Sequence, residues 1–165
     1  MEVDVELIPA AASYPIRHAV LRPSQSIDEV PFKEDGEPGT ATFGAIDRAS
    51  GAVVGVATVF REPAPLDAAE AGVPLGAGHE AAAWRLRAMA TREDLQGQGI
   101  GSLVLDTVLA HVAAEGGDLV WCNARVHAIG FYQRAGFETW GDEWVVPIHG
   151  PHVVMWRWIE PRKAT

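Results

Sequence analysis

Cys122 is the only cysteine in the 165-residue chain, so no disulfide can form within it and the fold must rest on its own core. The sequence has no apolar run of the roughly 18–20 residues that a membrane-crossing helix needs. Its first residues, Met1-Glu2-Val3-Asp4-Val5-Glu6, lack the basic, apolar and cleavage regions of a signal peptide, and a cytoplasmic location is expected. Positive charge is scarce. With 13 Lys and Arg against 22 Asp and Glu the formal net charge is −9, and no basic cluster stands against it, which argues against a nucleic-acid partner. An anionic cofactor is still admissible where backbone N–H groups and a few arginines make a positive pocket inside that negative envelope. Internal repeats and low-complexity tracts are missing as well. What is present is an ordinary globular composition, 48% hydrophobic and 21% charged, in a length suited to a single domain over 1–165.

Val3, Val5 and Leu7 alternate with Asp4 and Glu6, a period of two that predicts a first strand. Ser13 to Leu21 reads as a short helix with Ser13 as N-cap, Pro15 in the first turn and Pro23 past the end. Ser24 to Gly39, with Pro31, Gly36 and Pro38, reads as a loop. Strands follow at 41–47 and 52–61, joined by a hairpin turn at Arg48-Ala49-Ser50-Gly51. Glu62 to Gly78 is rich in Pro, Ala and Gly and is expected to be a long, mobile surface loop. A fourth strand is predicted over 81–91, where Trp84, Leu86, Ala88 and Ala90 alternate with Arg85, Arg87, Met89 and Thr91.

From Gly99 onward Ile100, Leu103, Val104, Val108 and Val112 recur at helical spacing, and Gly116-Gly117 stops the helix. Leu119-Val120-Trp121-Cys122 suits a buried parallel strand, 125–135 a second amphipathic helix, and 137–146 and 152–159 two last strands. The fold class is therefore α/β (α+β): a mixed, mostly antiparallel sheet of six to seven strands with flanking helices and one parallel crossover through the helix after the fourth strand.

The chemistry starts at Gln96-Gly97-Gln98-Gly99-Ile100-Gly101-Ser102, between a strand and a helix. Three glycines at alternate positions let the backbone turn sharply and aim successive N–H groups at one spot, a site for phosphate or pyrophosphate. A nucleotide-triphosphate loop would need Gly-Lys-Ser/Thr, and the lysine is missing. A dinucleotide fingerprint can be forced as Gly97-x-Gly99-x-x-Ser102, but Asp118 would then start the next strand instead of ending it, and only one crossover unit exists.

Gln96-x-x-Gly99-x-Gly101 resembles the Gln/Arg-x-x-Gly-x-Gly/Ala motif of the GNAT superfamily of N-acetyltransferases, with a strand before it and a helix after it. The later stretch from Ala128 through Tyr132 to Gly136-Phe137 resembles that family's second signature, Ala-x-x-x-Tyr-x-x-x-Gly-Phe. More loosely, Arg17-His18-x-Val20-Leu21-Arg22-Pro23 and Gly150-Pro151-His152-x-x-Met155 are similar to the ElaA-type branch.

The resemblance implies a GNAT acyl-CoA N-acyltransferase fold and transfer of an acetyl group from acetyl-CoA to a primary amine by direct attack in a ternary complex. It implies that residues Gln96 to Ser102 hold the pyrophosphate. Main-chain groups of Met89, Ala90 and Thr91 would bind the pantetheine arm, and the strands at 81–91 and 119–122 would part for the thioester. Met89 or Ala90 would give the N–H that receives the oxyanion, and Tyr132 would protonate the leaving thiolate.

Two departures stand out. Residues 83–91 lack the carboxylate base that many members carry, having Arg85 and Arg87 instead, and Arg125 replaces an Asn that would open the second helix. The base is unassigned, and Arg125 and Arg134 are candidate phosphate partners. Arg85 and Arg87 suit an acceptor bearing an anion, or else form a solvated face. His152 is a candidate for the acceptor pocket, His127 is expected to be exposed, and Cys122 to be a buried structural thiol. His149 and His152 face opposite sides of an extended segment, so no metal site is expected. Trp140, Trp144, Trp156 and Trp158 leave a homodimer through the last two strands open. The acceptor is left as a small molecule or peptide. A second reading is a catalytically silent CoA-binding sensor.

Overall fold

The computed structural model describes residues 1–65 and 82–159. In chain order the elements are β1 (Val3–Leu7), α1 (Ala10–Ile16), β2 (Ala41–Asp47), β3 (Val53–Arg61), β4 (Ala83–Thr91), α2 (Ile100–Ala114), β5 (Leu119–Arg125), α3 (Ile129–Arg134), β6 (Glu138–Val146) and β7 (Gly150–Trp158). The seven strands form one sheet in the order β1-β2-β3-β4-β5-β7-β6. β1–β2, β2–β3, β5–β7 and β6–β7 are antiparallel, and β4–β5 is parallel. The expected mixed sheet is therefore observed, with α2 supplying the parallel crossover from β4 to β5. Among the described residues no helix is long and apolar enough to cross a membrane.

The described residues fall into two compact units, one from Met1–Phe60 with Leu86–Val108 and the other from the described parts of Arg61–Arg85 with Leu109–Thr165. In the first, β2 and β3 are closed by a turn in which the Asp47 carboxylate accepts from the Ala49 N–H and the Ser50 hydroxyl, while Gly51 takes φ 75°. Ile16, Val56 and Ala90 form a core cluster with Ile8, Val20, Leu21 and Val53 around it. Gly55 of β3 lets α2 approach: a Cβ there would lie 3.0 Å from a methyl of Ile100, the first residue of the helix. This contact seats the start of α2, and hence the glycine-rich turn before it, against the sheet.

The first helix differs from expectation. It begins at Ala10 with Pro9 at the cap, three residues before Ser13, whose hydroxyl donates back to the Ala10 carbonyl at 2.6 Å. Pro15 lies inside the helix, where it cannot donate a backbone hydrogen bond, and the chain continues as a wider π turn over Arg17–Leu21. The 24–39 loop contains two short 3-10 turns, Ile27–Glu29 and Lys33–Gly36. The expected 62–78 loop lies outside the described residues from 66 onward.

In the second unit Ala83, Leu119, Trp121, Val154 and Trp156 form a cluster joined by Ala64, Trp140 and Trp158. Gly117, one residue past the left-handed Gly116 that ends α2, leaves room for the Trp84 ring, since a Cβ there would stand 2.6 Å from the indole and closer still to Val112. Two boundaries move. β5 runs on to Arg125, so Arg125 closes a strand and does not open a helix; a 3-10 turn over Val126–Ala128 precedes the short α3. The closing tryptophans do not act as one group: Trp156 is buried, Trp140 and Trp158 are half-buried, and Trp144 is 37% exposed on the edge strand β6.

Candidate active site

β4 carries the first part of the site. Ala88 sits at φ 55°, a left-handed conformation that alanine adopts only at a cost of about 1–2 kcal/mol. Such a residue breaks the regular alternation of N–H directions just before Met89 and Ala90, the two expected oxyanion donors. Beyond the strand, Arg92 N–H bonds to the Val54 carbonyl at 2.9 Å, and the side-chain amide of Gln96 donates to the Thr91 carbonyl at 3.0 Å. The motif glutamine thus ties the turn to the end of β4.

Gly97 and Gly99 take φ 81° and 84°, and an added Cβ at either would meet nothing within 4 Å. Glycine is needed there for its conformation, while the space beside the turn is open. The first intrahelical bond of α2 runs from Leu103 N–H to the Gly99 carbonyl at 3.2 Å, so Ile100, Gly101 and Ser102 have N–H groups with no acceptor in their own helix. The first turn carries no acidic side chain. Backbone donors and the positive end of a fifteen-residue helix therefore converge beside a clear approach, a fit for a pyrophosphate.

The two arginines expected to act as a pair have separate surroundings. Arg85 bonds the Glu62 carboxylate at 3.1 Å and lies 5.1 Å from the centre of the Trp121 ring, whose indole N–H donates to the Glu62 carbonyl at 2.9 Å. Its charge is already answered. Arg87 lies over Phe32, 3.8 Å from the ring centre. Phe32 also receives Arg17 at 4.3 Å and Arg22 at 5.6 Å. Arg17 is 1% exposed, binds both oxygens of Asp35 at 2.8 and 2.9 Å, and donates to the Thr58 hydroxyl at 2.7 Å. Burial raises the Asp35 carboxyl, but hydrogen bonds from Arg17 and from the Phe32 N–H outweigh it and hold the group below its ordinary value. This network, and Phe32 at its centre, carries no signal in the sequence, since its members come from a helix, a loop and two strands without shared spacing.

In the second unit Tyr132 of α3 is buried, flanked by Phe131 and Phe137 at ring-centre distances of 5.1 and 5.4 Å. Its hydroxyl hydrogen-bonds to the thiol of Cys122 on β5, a partner that lies ten positions earlier and was not anticipated. Burial, and then Cys122, pushes the phenol well above its ordinary range, so it stays a neutral donor. Arg125 stands opposite His152 in the β5–β7 register, and its guanidinium reaches His149 at 3.5 Å. Arg134 is exposed, with Nη1 close to Gly130. His152 is 8% exposed; its Nδ1 is 2.8 Å from the Gly150 carbonyl, which can only accept, so the proton of the neutral ring sits on Nδ1 and the lone pair on Nε2. His127 is exposed, as expected.

Burial pushes the Cys122 thiol from 9.0 up to about 12. An unfolded chain releases this proton near the ordinary value, so from about pH 9 to 12 the folded state holds a proton that the unfolded state has lost. The stability contributed by the neutral thiol is whole below that window and declines as pH rises through it, by up to about 1.4 kcal/mol per pH unit. Urea titrations near pH 8 and near pH 10 are expected to show a smaller alkaline loss for Cys122→Ala than for the parent. Equal losses would mean that the buried thiol titrates normally.

The family model of the Acetyltransferase (GNAT) family matches residues 11–137. Among curated proteins, the Bacillus subtilis (strain 168) protein described as Uncharacterized N-acetyltransferase YitI is 34% identical over 155 residues, covering 94% of this chain and 95% of its own. Among solved structures, Escherichia coli ElaA matches with a TM-score of 0.70 at 16% identity over 94% of this chain and 99% of its own. An aminoglycoside 6'-N-acetyltransferase complexed with coenzyme A matches with a TM-score of 0.64 at 15% identity over 98% and 99%.

Proposed function

Since the chain belongs to the GNAT family of acetyltransferases, using acetyl-CoA as its acyl donor, we propose that it acetylates a primary amine by direct attack in a ternary complex, with Gln96 to Ser102 holding the donor's pyrophosphate. The observation that carries this reading is the turn itself: two left-handed glycines, open space beside them among the described residues, and three N–H groups with no acceptor in their own helix. In this reading the main chain of Met89, Ala90 and Thr91 binds the pantetheine arm, with the Thr91 carbonyl already engaged by Gln96. Arg125 and Arg134 contribute charge toward the phosphates.

The bound thioester supplies an activated acyl carbon. An alkyl ammonium with pKa near ~10.4 must lose its proton before it can attack. A main-chain N–H of Met89 or Ala90 then stabilises the oxyanion, aimed by the left-handed Ala88 that precedes them. Tyr132 gives its proton to the departing thiolate, its hydroxyl turning from the Cys122 sulfur to which it donates. His152 is assigned to the acceptor side, where Nε2 can accept a hydrogen bond from the amine.

Calorimetry is expected to show acetyl-CoA binding in the micromolar range, and thiol release should depend on an added amine. Binding without amine-dependent release across a broad amine panel would favour the silent sensor, a reading that the intact Tyr132 position weighs against.

A further inference from the structure

Resting on the role proposed above for Tyr132, we infer that Arg157 on β7 is a positioning residue for the reaction: by holding the end of α3 on the sheet it sets where the Tyr132 phenol stands. α3 is only six residues long, and no side chain caps its N-terminus. A helix this short leaves most of its backbone groups without partners of its own and is fixed in place by what surrounds it. At its C-terminal end the Tyr132 carbonyl accepts from the N–H groups of Ala135 and Phe137, each at 3.0 Å, and the Gln133 carbonyl accepts from Gly136 at 3.0 Å. Gly136, at φ 89°, makes the left-handed turn that this set of bonds requires, and the Phe137 ring beyond it packs on Tyr132. The Ala135 carbonyl lies outside the set, and Arg157 Nη1 donates to it at 2.8 Å. The arginine stem passes over Gly136, where a Cβ would stand 3.5 Å from Nε. Because the Tyr132 main chain is part of this capped turn, whatever moves the end of α3 moves the phenol.

The strand register places the second hold on Tyr132 beside the first. Arg157 stands opposite Val120 and Met155 opposite Cys122, so Arg157 and Cys122 share one face of the β5–β7 pair. They are two positions apart along β5, roughly 7 Å at about 3.3 Å per residue. The arginine fixes the end of the helix, and the Cys122 sulfur receives the hydroxyl. Of the two, the arginine can be changed without touching the phenol. A proton donor displaced by about 1 Å can lose on the order of 100-fold in rate, so a loosened helix end has a kinetic signature. Arg157 contacts no reacting atom and acts through Tyr132.

The test compares Arg157→Met, which keeps the stem over Gly136 and deletes the donor, with Arg157→Lys, which keeps a donor and the charge. Each is made alone and combined with Tyr132→Phe. Calorimetry of acetyl-CoA on the parent comes first. Thiol release is then followed with glycine, spermidine, kanamycin and a short peptide with a free N-terminus, and the amine used fastest serves for the kinetics. Arg157→Met should lower kcat about tenfold or more, leaving the KM of the amine and acetyl-CoA affinity within about twofold. Arg157→Lys should recover most of that loss. In the Tyr132→Phe background, removing the arginine should lower kcat by less than about twofold further, because the group it positions is gone. Should Arg157→Met not fold, Arg157→Lys carries the comparison, with a loss of about threefold expected beside Tyr132 and none in the Tyr132→Phe background. A parental kcat in folded Arg157→Met, a loss of the same size in both backgrounds, or weaker binding of amine or acetyl-CoA with kcat unchanged would each overturn the inference. The second of these results would leave the arginine a purely structural role. Parental turnover in Tyr132→Phe, or no thiol release with any amine while acetyl-CoA binds, would defeat the reading beneath it and the inference with it.

Discussion

Gly99→Val is expected to fold and to lose acetyl-CoA affinity by about 100-fold or more. Gly99 is exposed and an added side chain would strike nothing, so the core has no reason to fail. The loss comes from the main chain. At φ 84° a β-branched residue is strongly disfavoured, and the turn must rearrange to a negative φ, which swings the adjacent N–H groups off their common point. Each charge-assisted hydrogen bond to a phosphate is worth about 1.5–3 kcal/mol, so misaiming one or two accounts for a loss of this size. Isothermal titration with acetyl-CoA, on protein whose melting temperature matches the parent, checks the result. Undiminished affinity in such a protein would remove the turn from the binding site.

Tyr132→Phe is expected to lower kcat by about 10²-fold while changing acetyl-CoA affinity by less than about threefold, the pattern for a proton donor that acts only in the transition state. The ring and its packing against Phe131 and Phe137 remain, and the hydroxyl gives up only its bond to Cys122, a stability cost of about 0.5–1.5 kcal/mol. Because burial raises the phenol, Tyr132 stays protonated over the whole working range, and the parent should show no alkaline fall in kcat from this group below about pH 10. Steady-state kinetics from pH 6 to 10 on both proteins measure these effects. Equal turnover would assign protonation of the thiolate to solvent.

Much of this was legible from local signals. The β2–β3 hairpin, β4 and α2 follow from alternation, from three- and four-residue spacing and from Gly51 and Gly116, whose left-handed conformations occur where the sequence calls for a turn and a helix stop. The α1 boundary misled because Ser13 is a good cap residue by type, yet Pro9 starts the helix and Ser13 bonds inward. Arg125 misled because the apolar run ends at Cys122, although β7 continues to pair with β5 as far as Arg125. The divided fates of Arg85 and Arg87 could not be read from a period of two, which gives a side chain its face but not its neighbour. Glu62 and Phe32 supply those neighbours from separate loops. The Tyr132–Cys122 contact is likewise a product of packing α3 on β5.

That contact also bears on where an acyl group can go. A thiolate near a thioester exchanges with it readily, so an accessible cysteine of ordinary acidity would divert acetyl groups onto the enzyme and open a two-stage route through a covalent intermediate. Cys122, buried and pushed up to about 12, is ionised in only about one molecule in 10⁵ at pH 7. The chain has no second thiol to take its place. Its one cysteine is held as the thiol, which agrees with the direct attack proposed above and with no acyl group resting on sulfur of the protein.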